Sequence, residues 1–269
     1  MAISIKILQT GSIRIRPSHR HQPANKAVLV RRLSVLLDTS WTAPLPVNTY
    51  LIDHPERPIL FDSGESPHSM EPGYFPLWMP FFHLAVDIDV GKDEGIGSRL
   101  EQENLAPGDL KAIVLSHLHH DHGDGLPDLV GAPTPFHATM EGAVPNQWPA
   151  TFKPSILQPT GGPIGPWNQS YPITGDGKVV AVDTPGHVPG HLSVIVRADD
   201  VNYLLLGDAT YDQDLLDQEL TDGVNNNPAL AVDSLRKNQR VRKERGRCAA
   251  PCSRPASSSP PPGEGHLQT

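Results

Sequence analysis

Four histidines and one aspartate lie within six consecutive residues of this chain, His117-Leu118-His119-His120-Asp121-His122. Neutral imidazole and carboxylate groups are ordinary ligands of Zn²⁺ and related transition metals. The segment directly follows the apolar residues 112–116, which are typical of a short buried strand. A polar, solvated loop that is merely rich in histidine is the alternative. The position at the end of a predicted strand favours a metal site.

Two later segments carry residues of the same kinds at the ends of predicted strands. Residues 184–191 follow one strand and contain His187, and residues 207–211 follow another and contain Asp208. A carboxylate such as that of Asp208 can bridge two metal ions. The sequence therefore favours a metal site assembled from three strand ends over an isolated histidine cluster.

Six side chains could together hold two metal ions. One site would take three histidines, the other an aspartate and a histidine, and one carboxylate would bridge them. In that order the candidates are His117, His119 and His187, then Asp121 and His122, and finally Asp208. Two metals about 3.5–4 Å apart can share a hydroxide and lower its pKa towards neutrality. Such a site needs no serine or cysteine nucleophile, and the sequence contains neither a GxSxG elbow nor a phosphate loop.

Several neighbouring residues have two interpretations each. Tyr211 could pack against the helix that follows it, or its hydroxyl could reach a substrate carbonyl, which we favour. Asp62 could form a turn or support a metal ligand. His191 suits a supporting or structural role as well as it suits a ligand, and His120 is expected to face away from its neighbours. The remaining histidines are expected at the surface or in packing: His19, His21, His54, His68, His83 and His137.

The composition limits the class of protein. A chain of 269 residues can bury a sizeable core as one domain. It contains no run approaching the roughly 20 apolar residues that cross a bilayer. Its first residues lack the apolar core and cleavage site of a signal peptide. We therefore expect a cytoplasmic protein with no membrane partner.

The charge is unevenly distributed along the chain. The net charge is −8, and residues 235–269 hold 8 of the 22 Lys and Arg residues but only 2 of the 30 Asp and Glu residues. The rest of the chain therefore has 14 basic against 28 acidic residues. The acidity of residues 1–234 argues against nucleic acid as the partner and favours a small-molecule substrate.

Strands and helices alternate around the candidate ligands. This pattern predicts an α/β fold whose site lies in loops at one edge of the sheets. An aromatic stretch at residues 74–82 could cap an apolar pocket or pack onto the core. The sequence predicts strands at residues 3–8, 28–37, 47–52, 59–61, 112–116, 179–183, 192–196 and 203–206, and helices at 94–104, 215–220 and 228–239.

These motifs resemble those of the metallo-β-lactamase superfamily over residues 3–235. Residues 117–122 match its HxHxDH signature, and residues 62–64 match its aspartate motif. His187 matches the next ligand and Asp208 the bridging carboxylate. Residues 184–191 and 207–211 are most similar to the N-acyl-homoserine lactonase group.

The resemblance implies a fold and a reaction. The fold would be a four-layer αββα sandwich holding two Zn²⁺ ions per chain. The reaction would open a lactone ring, that of the N-acyl-homoserine lactones used in quorum sensing, through a metal-bridging hydroxide. Tyr211 would assist at the lactone carbonyl, and Asp121 would pass a proton to the leaving alkoxide. Dimers are common in this group, which implies a possible homodimer.

Two alternatives stay open at the level of sequence. The same scaffold could hydrolyse a thioester, a β-lactam or a phosphodiester. The chain could also bind metal with impaired catalysis. The family draws a last histidine from a buried strand near the C-terminus, and no histidine of this chain follows a predicted strand there.

The C-terminal sequence departs from the family pattern. Residues 236–269 are basic and then rich in Pro and Ser, which predicts a disordered tail after a hydrolase domain of residues 1–235. The only histidine in this stretch is His266, and we interpret Cys248 and Cys252 as incidental. Our hypothesis is that the native C-terminus has been replaced, for instance by a shift of reading frame, so that the second metal site lacks its last ligand.

Overall fold

The computed structural model of the protein describes residues 2–131, 135–136, 155–199 and 201–249. Within these ranges the strands form two five-stranded sheets and one short pair. In chain order they are β1 (Ser4–Ile15), β2 (Leu45–Asp53), β3 (Ile59–Phe61), β4 (Val86–Asp89), β5 (Ala112–Val114), β6 (Pro135–Phe136), β7 (Ser155–Ile156), β8 (Tyr171–Pro172), β9 (Val179–Asp183), β10 (Leu192–Arg197), β11 (Asn202–Leu205) and β12 (Gly246–Ala249).

The helices are mostly short and lie between the strands. They are α1 (Pro17–Arg20), α2 (Val28–Leu37), α3 (Pro80–Leu84), α4 (Ile96–Gln102), α5 (His120–Gly123), α6 (Gln213–Asp217) and α7 (Pro228–Arg245). Single 3₁₀ turns lie at Pro67–Met70, Pro107–Asp109, Leu126–Leu129 and Gly207–Ala209. In the part of the chain that the structure describes, no helix combines the length and apolar character needed to cross a membrane.

Each large sheet is mixed in strand direction. The first has the order β4-β1-β2-β3-β5 and the second the order β12-β11-β10-β9-β8. In the first sheet β3 and β5 are parallel, and in the second β11 and β12 are parallel. Parallel neighbours end at the same sheet edge, so the loops that follow them open on a common side.

The two sheets pack face to face because their strands alternate apolar side chains between two surfaces. In β2, Tyr50 and Ile52 face the second sheet, where they join Val194 and Val196 of β10 in one core cluster. Leu51, between the two β2 residues, belongs to a different cluster on the outer face. The strands therefore bury both of their faces.

Helices cover the two outer faces of the sheets. Ile96 and Leu100 of α4 pack on the outer face of the first sheet. Leu216 of α6 and Leu235 of α7 pack on the outer face of the second sheet. The layers are thus helix, sheet, sheet and helix, and the predicted four-layer αββα sandwich is confirmed.

One predicted strand is wrong: residues 28–37 form the helix α2. The run of Val and Leu suggested a strand, but Arg31 and Val35 are its buried residues and are one helical turn apart. The Arg31 guanidinium is fully buried, with Nη1 donating to Pro23 O at 2.8 Å and Nη2 to Thr221 Oγ1 at 3.0 Å. Burial at helical spacing therefore decides the conformation of this segment, whatever its β-propensity.

Two further elements are longer than predicted. Strand β1 continues past residue 8 to Ile15, across a bulge between Gln9 and Ser12. Helix α7 continues past Gln239, the predicted end of this helix, to Arg245. Asn238 is fully buried within it, and Arg242 Nη1 lies 2.5 Å from Asp217 Oδ1 of α6. The tail predicted from composition falls mostly on residues 250–269, which lie outside the described residues.

The packing of α7 gives a test of where the folded domain ends. We expect a chain that stops after Ala249 to keep the unfolding free energy of the full chain within about 0.5 kcal/mol. A chain that stops after Leu235 should lose about 3 kcal/mol or more, because it forfeits the packing of Val241 and the buried Asn238. Urea unfolding of both chains measures the difference. Equal stability of the two would contradict the assignment of residues 236–249 to the domain.

Candidate metal centre

The candidate ligands come from both sheets and meet at one edge. Residues 117–122 follow β5 and continue into the single turn of α5. His187 lies in the loop between β9 and β10, and Asp208 lies in the 3₁₀ turn after β11. The backbone N–H of Leu192 donates to the carbonyl of Ser116 at 2.9 Å, which joins the two sheets beside the site.

The first donor group contains three histidines and one aspartate. The ligand-type atoms of His117, His119, His187 and Asp208 all lie within 4.8 Å of one another. His119 Nδ1 is 2.9 Å from His187 Nε2, and His187 Nε2 is 3.5 Å from Asp208 Oδ2. The three histidines that the sequence grouped together are brought together here.

The second donor group contains Asp121, His122 and the same Asp208, again within 4.8 Å of one another. His122 Nε2 lies 3.1 Å from Asp208 Oδ1 and 3.7 Å from Asp121 Oδ2. Asp208 thus presents Oδ2 to the first group and Oδ1 to the second. This is the arrangement that a bridging carboxylate requires.

The residues present fit a transition metal. His117 is fully buried, and its Nε2 has no hydrogen-bond partner among the described residues. Burial and the neighbouring His122 lower the pKa of His117 well below its ordinary value, and burial and His187 do the same for His119. Both imidazoles are therefore neutral, which is the form that binds metal. A set of four nitrogen and carboxylate donors suits the four-coordinate sites of Zn²⁺.

Asp62 supports His122 of the second donor group by a hydrogen bond. Its Oδ2 accepts from His122 Nδ1 at 2.9 Å, and its Oδ1 accepts from the backbone N–H of Ser116 at 2.6 Å. The residue has φ of +62°, a left-handed conformation that costs free energy for a non-glycine residue. Of the two interpretations of Asp62, the structure favours support of a ligand, because Nδ1 is occupied and Nε2 of His122 is directed at the site.

Asp222 supports His187 in the same manner, although no motif in the sequence indicates this role. Its Oδ2 accepts from His187 Nδ1 at 3.0 Å, and its Oδ1 accepts from the N–H of Val224 at 2.8 Å. Burial alone would raise the pKa of Asp222, but the adjacent His187 imidazole lowers it below its ordinary value. The pairing joins residues 35 positions apart in a loop without a motif, so no spacing rule could have revealed it.

His120 and His191 stand apart from both donor groups. His191 is fully buried, with Nδ1 2.9 Å from Thr184 Oγ1, which indicates a structural role. His120 faces away from the ligands, as expected, and its Nδ1 lies 2.5 Å from the buried Glu65 Oε2. Burial alone would lower the pKa of His120, but the Glu65 carboxylate reverses the effect and raises it to about 9.

A cavity of about 1100 Å³ opens above the two donor groups. His119, Asp121, His122, His187 and Asp208 lie at its base. Its walls are mainly apolar and include Ile15, Leu45, Met79, Phe81, Phe82 and Leu230. The aromatic stretch therefore contributes to the wall of a pocket through its last residues.

Tyr211 lies on the same cavity, beside the first donor group. Its side chain is buried, and its ring centroid is 6.5 Å from that of His187. Its hydroxyl oxygen lies 3.3 Å from Nε2 of His19, a histidine that the sequence assigned to the surface or to packing. His19 is buried and also lines the cavity, so packing is the better description of the two.

The chain belongs to the metallo-β-lactamase superfamily, whose family model matches residues 42–245. Among curated relatives, it is 28% identical over 220 residues to N-acyl homoserine lactonase AttM of Rhizobium radiobacter, covering 74% of this chain and 76% of that protein. It is 29% identical over 206 residues to N-acyl homoserine lactonase AiiA of Bacillus thuringiensis subsp. kurstaki, covering 74% and 78%. The resemblance stated from the motifs is confirmed.

Solved structures share the fold at lower sequence identity. An N-acyl homoserine lactone hydrolase with the product N-hexanoyl-L-homoserine bound at its catalytic metal centre superposes with a TM-score of 0.74 at 22% identity, covering 94% of each chain. AidC, a dizinc quorum-quenching lactonase, superposes with a TM-score of 0.64 at 14% identity, covering 99% of this chain and 96% of that one. These similarities concern the fold alone.

The buried His120–Glu65 pair gives a prediction of pH dependence. The folded-state pKa of His120, about 9, lies above its ordinary 6.5, so the pair stabilises fully below about pH 6.5 and is lost as pH rises through 9. Glu65→Gln should therefore lower the unfolding free energy by about 3 kcal/mol at pH 6 and by much less at pH 10. Denaturant unfolding at both pH values measures this difference.

A matched control is available in the exposed pair of His68 and Glu71, whose Nδ1 and Oε1 are 2.7 Å apart. Glu71→Gln should change stability little at either pH, because solvent screens an exposed ion pair. A loss from Glu65→Gln that is equal at pH 6 and pH 10 would show that the His120 charge is not its cause.

Proposed function

We propose that this protein is a metal-dependent hydrolase that opens lactone rings, with N-acyl-homoserine lactones as the substrates that fit best. The observation that carries the proposal is the pair of donor groups sharing Asp208 at the base of an apolar cavity, with Tyr211 beside them. The names of the curated relatives support the same reaction. The cavity wall suits the acyl chain, and the polar base suits the ring.

The donor groups would hold two Zn²⁺ ions. His117, His119, His187 and Asp208 would bind one ion, and Asp121, His122 and Asp208 the other. When bound, such ions supply a hydroxide at neutral pH and polarise the ester carbonyl. Asp62 and Asp222 would keep the imidazoles of His122 and His187 in the tautomer whose Nε2 faces the metals.

The residues around the metals would bind the substrate and move the proton. The Tyr211 hydroxyl would donate to the carbonyl oxygen as that oxygen gains charge. Asp121 is the better candidate for proton transfer, because its side chain is 21% exposed against 10% for Asp208. Burial alone would raise the pKa of Asp121, but His122, His120 and His119 lower it below its ordinary value. The carboxylate is therefore ionised and can carry a proton to the leaving alkoxide.

A second candidate is a chain with a weakened second metal site. Among the described residues, the first donor group has four members and the second has three. Strand β12 runs parallel to β11 and so directs the chain towards the edge where Asp208 lies. The residues that follow Ala249 lie outside the described ranges, and the missing last histidine stays a prediction.

Assays on a panel of substrates test the reaction. We expect hydrolysis of N-acyl-homoserine lactones, with Asp208→Asn lowering kcat/KM by about a hundredfold or more, which corresponds to about 2.7 kcal/mol of barrier. Asp199→Asn, at an exposed carboxylate paired with Lys178, should leave the rate unchanged. Activity on a phosphodiester, a thioester or a β-lactam but on no lactone would overturn the proposal.

Metal analysis tests the second candidate. After dialysis we expect close to one tightly bound zinc ion per chain and a second that is lost readily, because the second group has fewer protein donors. Mass spectrometry of the metal content measures this directly. A chelator should abolish hydrolysis, and added zinc should restore it. Two equally tight zinc ions per chain would contradict a weakened second site.

A further inference from the structure

Hydrogen bonds of its own backbone hold His19 in place at the cavity wall. It lies in the single turn of α1, where its N–H donates to Arg16 O at 2.8 Å. Its carbonyl accepts from the N–H of Gly223 at 2.6 Å, next to the Asp222 that supports His187. Its ring packs against that of Phe81 in a T-shaped arrangement, with the centroids 5.4 Å apart. The imidazole therefore has little freedom to turn.

Two consecutive residues of α1 contact two consecutive residues that follow the Asp208 turn. His19 Nε2 lies 3.3 Å from the Tyr211 hydroxyl oxygen, with the ring centroids 6.1 Å apart. Beside this pair, the Arg20 guanidinium is paired with the carboxylate of Asp212. The ion pair holds α1 against the segment of Tyr211, so the contact of the two rings is part of a docked interface.

The position of the hydrogen on the His19 ring follows from burial. The imidazole is neutral, because burial lowers its pKa to about 4 and the nearby carboxylates of Asp222 and Asp208 offset only part of that effect. Its Nδ1 is buried and has no hydrogen-bond partner among the described residues. Burying an unpaired N–H costs more than burying an unpaired lone pair. The hydrogen therefore belongs on Nε2, the nitrogen that faces Tyr211.

We propose that His19 is a positioning residue that donates a hydrogen bond from Nε2 to the hydroxyl oxygen of Tyr211 and so directs the hydroxyl hydrogen at the substrate carbonyl. The inference rests on the proposed lactone hydrolysis. A donated bond to the phenol oxygen also makes its O–H a stronger donor, since hydrogen bonds in a chain polarise one another. The benefit falls on the transition state, where the carbonyl oxygen carries the most charge.

A double-mutant cycle tests whether His19 acts through Tyr211. His19→Leu should lower kcat for lactone hydrolysis about tenfold with little change in KM, which corresponds to about 1.4 kcal/mol. His19→Gln, which keeps an N–H donor, should recover most of the loss. In a Tyr211→Phe background, His19→Leu should change kcat less than about twofold, because the phenol oxygen is already gone.

The matched control removes a different buried histidine. His54 is buried beside Asp176, with Nε2 and Oδ2 3.2 Å apart, and it does not line the cavity. His54→Leu should leave kcat unchanged in the fraction that folds. The inference is overturned if His19→Leu leaves kcat unchanged, or if it lowers kcat equally with and without the Tyr211 hydroxyl.

A spectroscopic test does not depend on activity, so it separates the His19–Tyr211 hydrogen bond from the proposed lactone hydrolysis. In protein carrying ¹⁵N-labelled histidine, two-bond proton–nitrogen correlations report which ring nitrogen is protonated. His19, assigned by its absence in His19→Leu, should be protonated at Nε2, and its signal should shift in Tyr211→Phe. A proton on Nδ1 would refute the inference even if lactones are hydrolysed. If no lactone is hydrolysed, the proposed function fails while this measurement still decides the hydrogen bond.

Discussion

Ser116 is the junction on which the candidate site depends. Its carbonyl accepts from Leu192 of the second sheet, and its N–H donates to Asp62 at the end of β3. The next residue is His117, so two hydrogen bonds fix the backbone that leads into the first candidate ligand. Such backbone contacts hold both sheets together where donor atoms from distant parts of the chain lie within 4.8 Å of one another. Crowded buried imidazoles and carboxylates would otherwise separate or take up water.

The candidate ligands could be found in the sequence because each belongs to a local signal. Residues 117–122 form a compact motif, and His187 and Asp208 each follow an apolar strand that the alternation of residues reveals. The αββα layering was implied by the family resemblance, which rests on the motifs that follow these strands. What these residues share is that their role depends on neighbours in the sequence.

The parts that the sequence did not reveal depend on contacts between distant segments. Helix α2 was predicted as a strand, because its apolar run does not show that Arg31 reaches Thr221 across the fold. Asp222 has no motif of its own, and its role is set by where His187 comes to lie. In the sequence, His19 is one histidine in a basic stretch. Only its contact with Tyr211 in the folded chain distinguishes it. Tertiary packing decides the conformation of α2 and the roles of Asp222 and His19, and local composition does not reveal tertiary packing.

The order of the ligands along the chain has a consequence for synthesis. All six donors lie between His117 and Asp208, ahead of α7 and everything after it. The six candidate donors are therefore synthesised before the final helix, and the folding of a chain during synthesis begins with its N-terminal part. The C-terminal segment, from which the family resemblance implies a last ligand, is synthesised after them. A change confined to that segment leaves the six candidate donors unchanged.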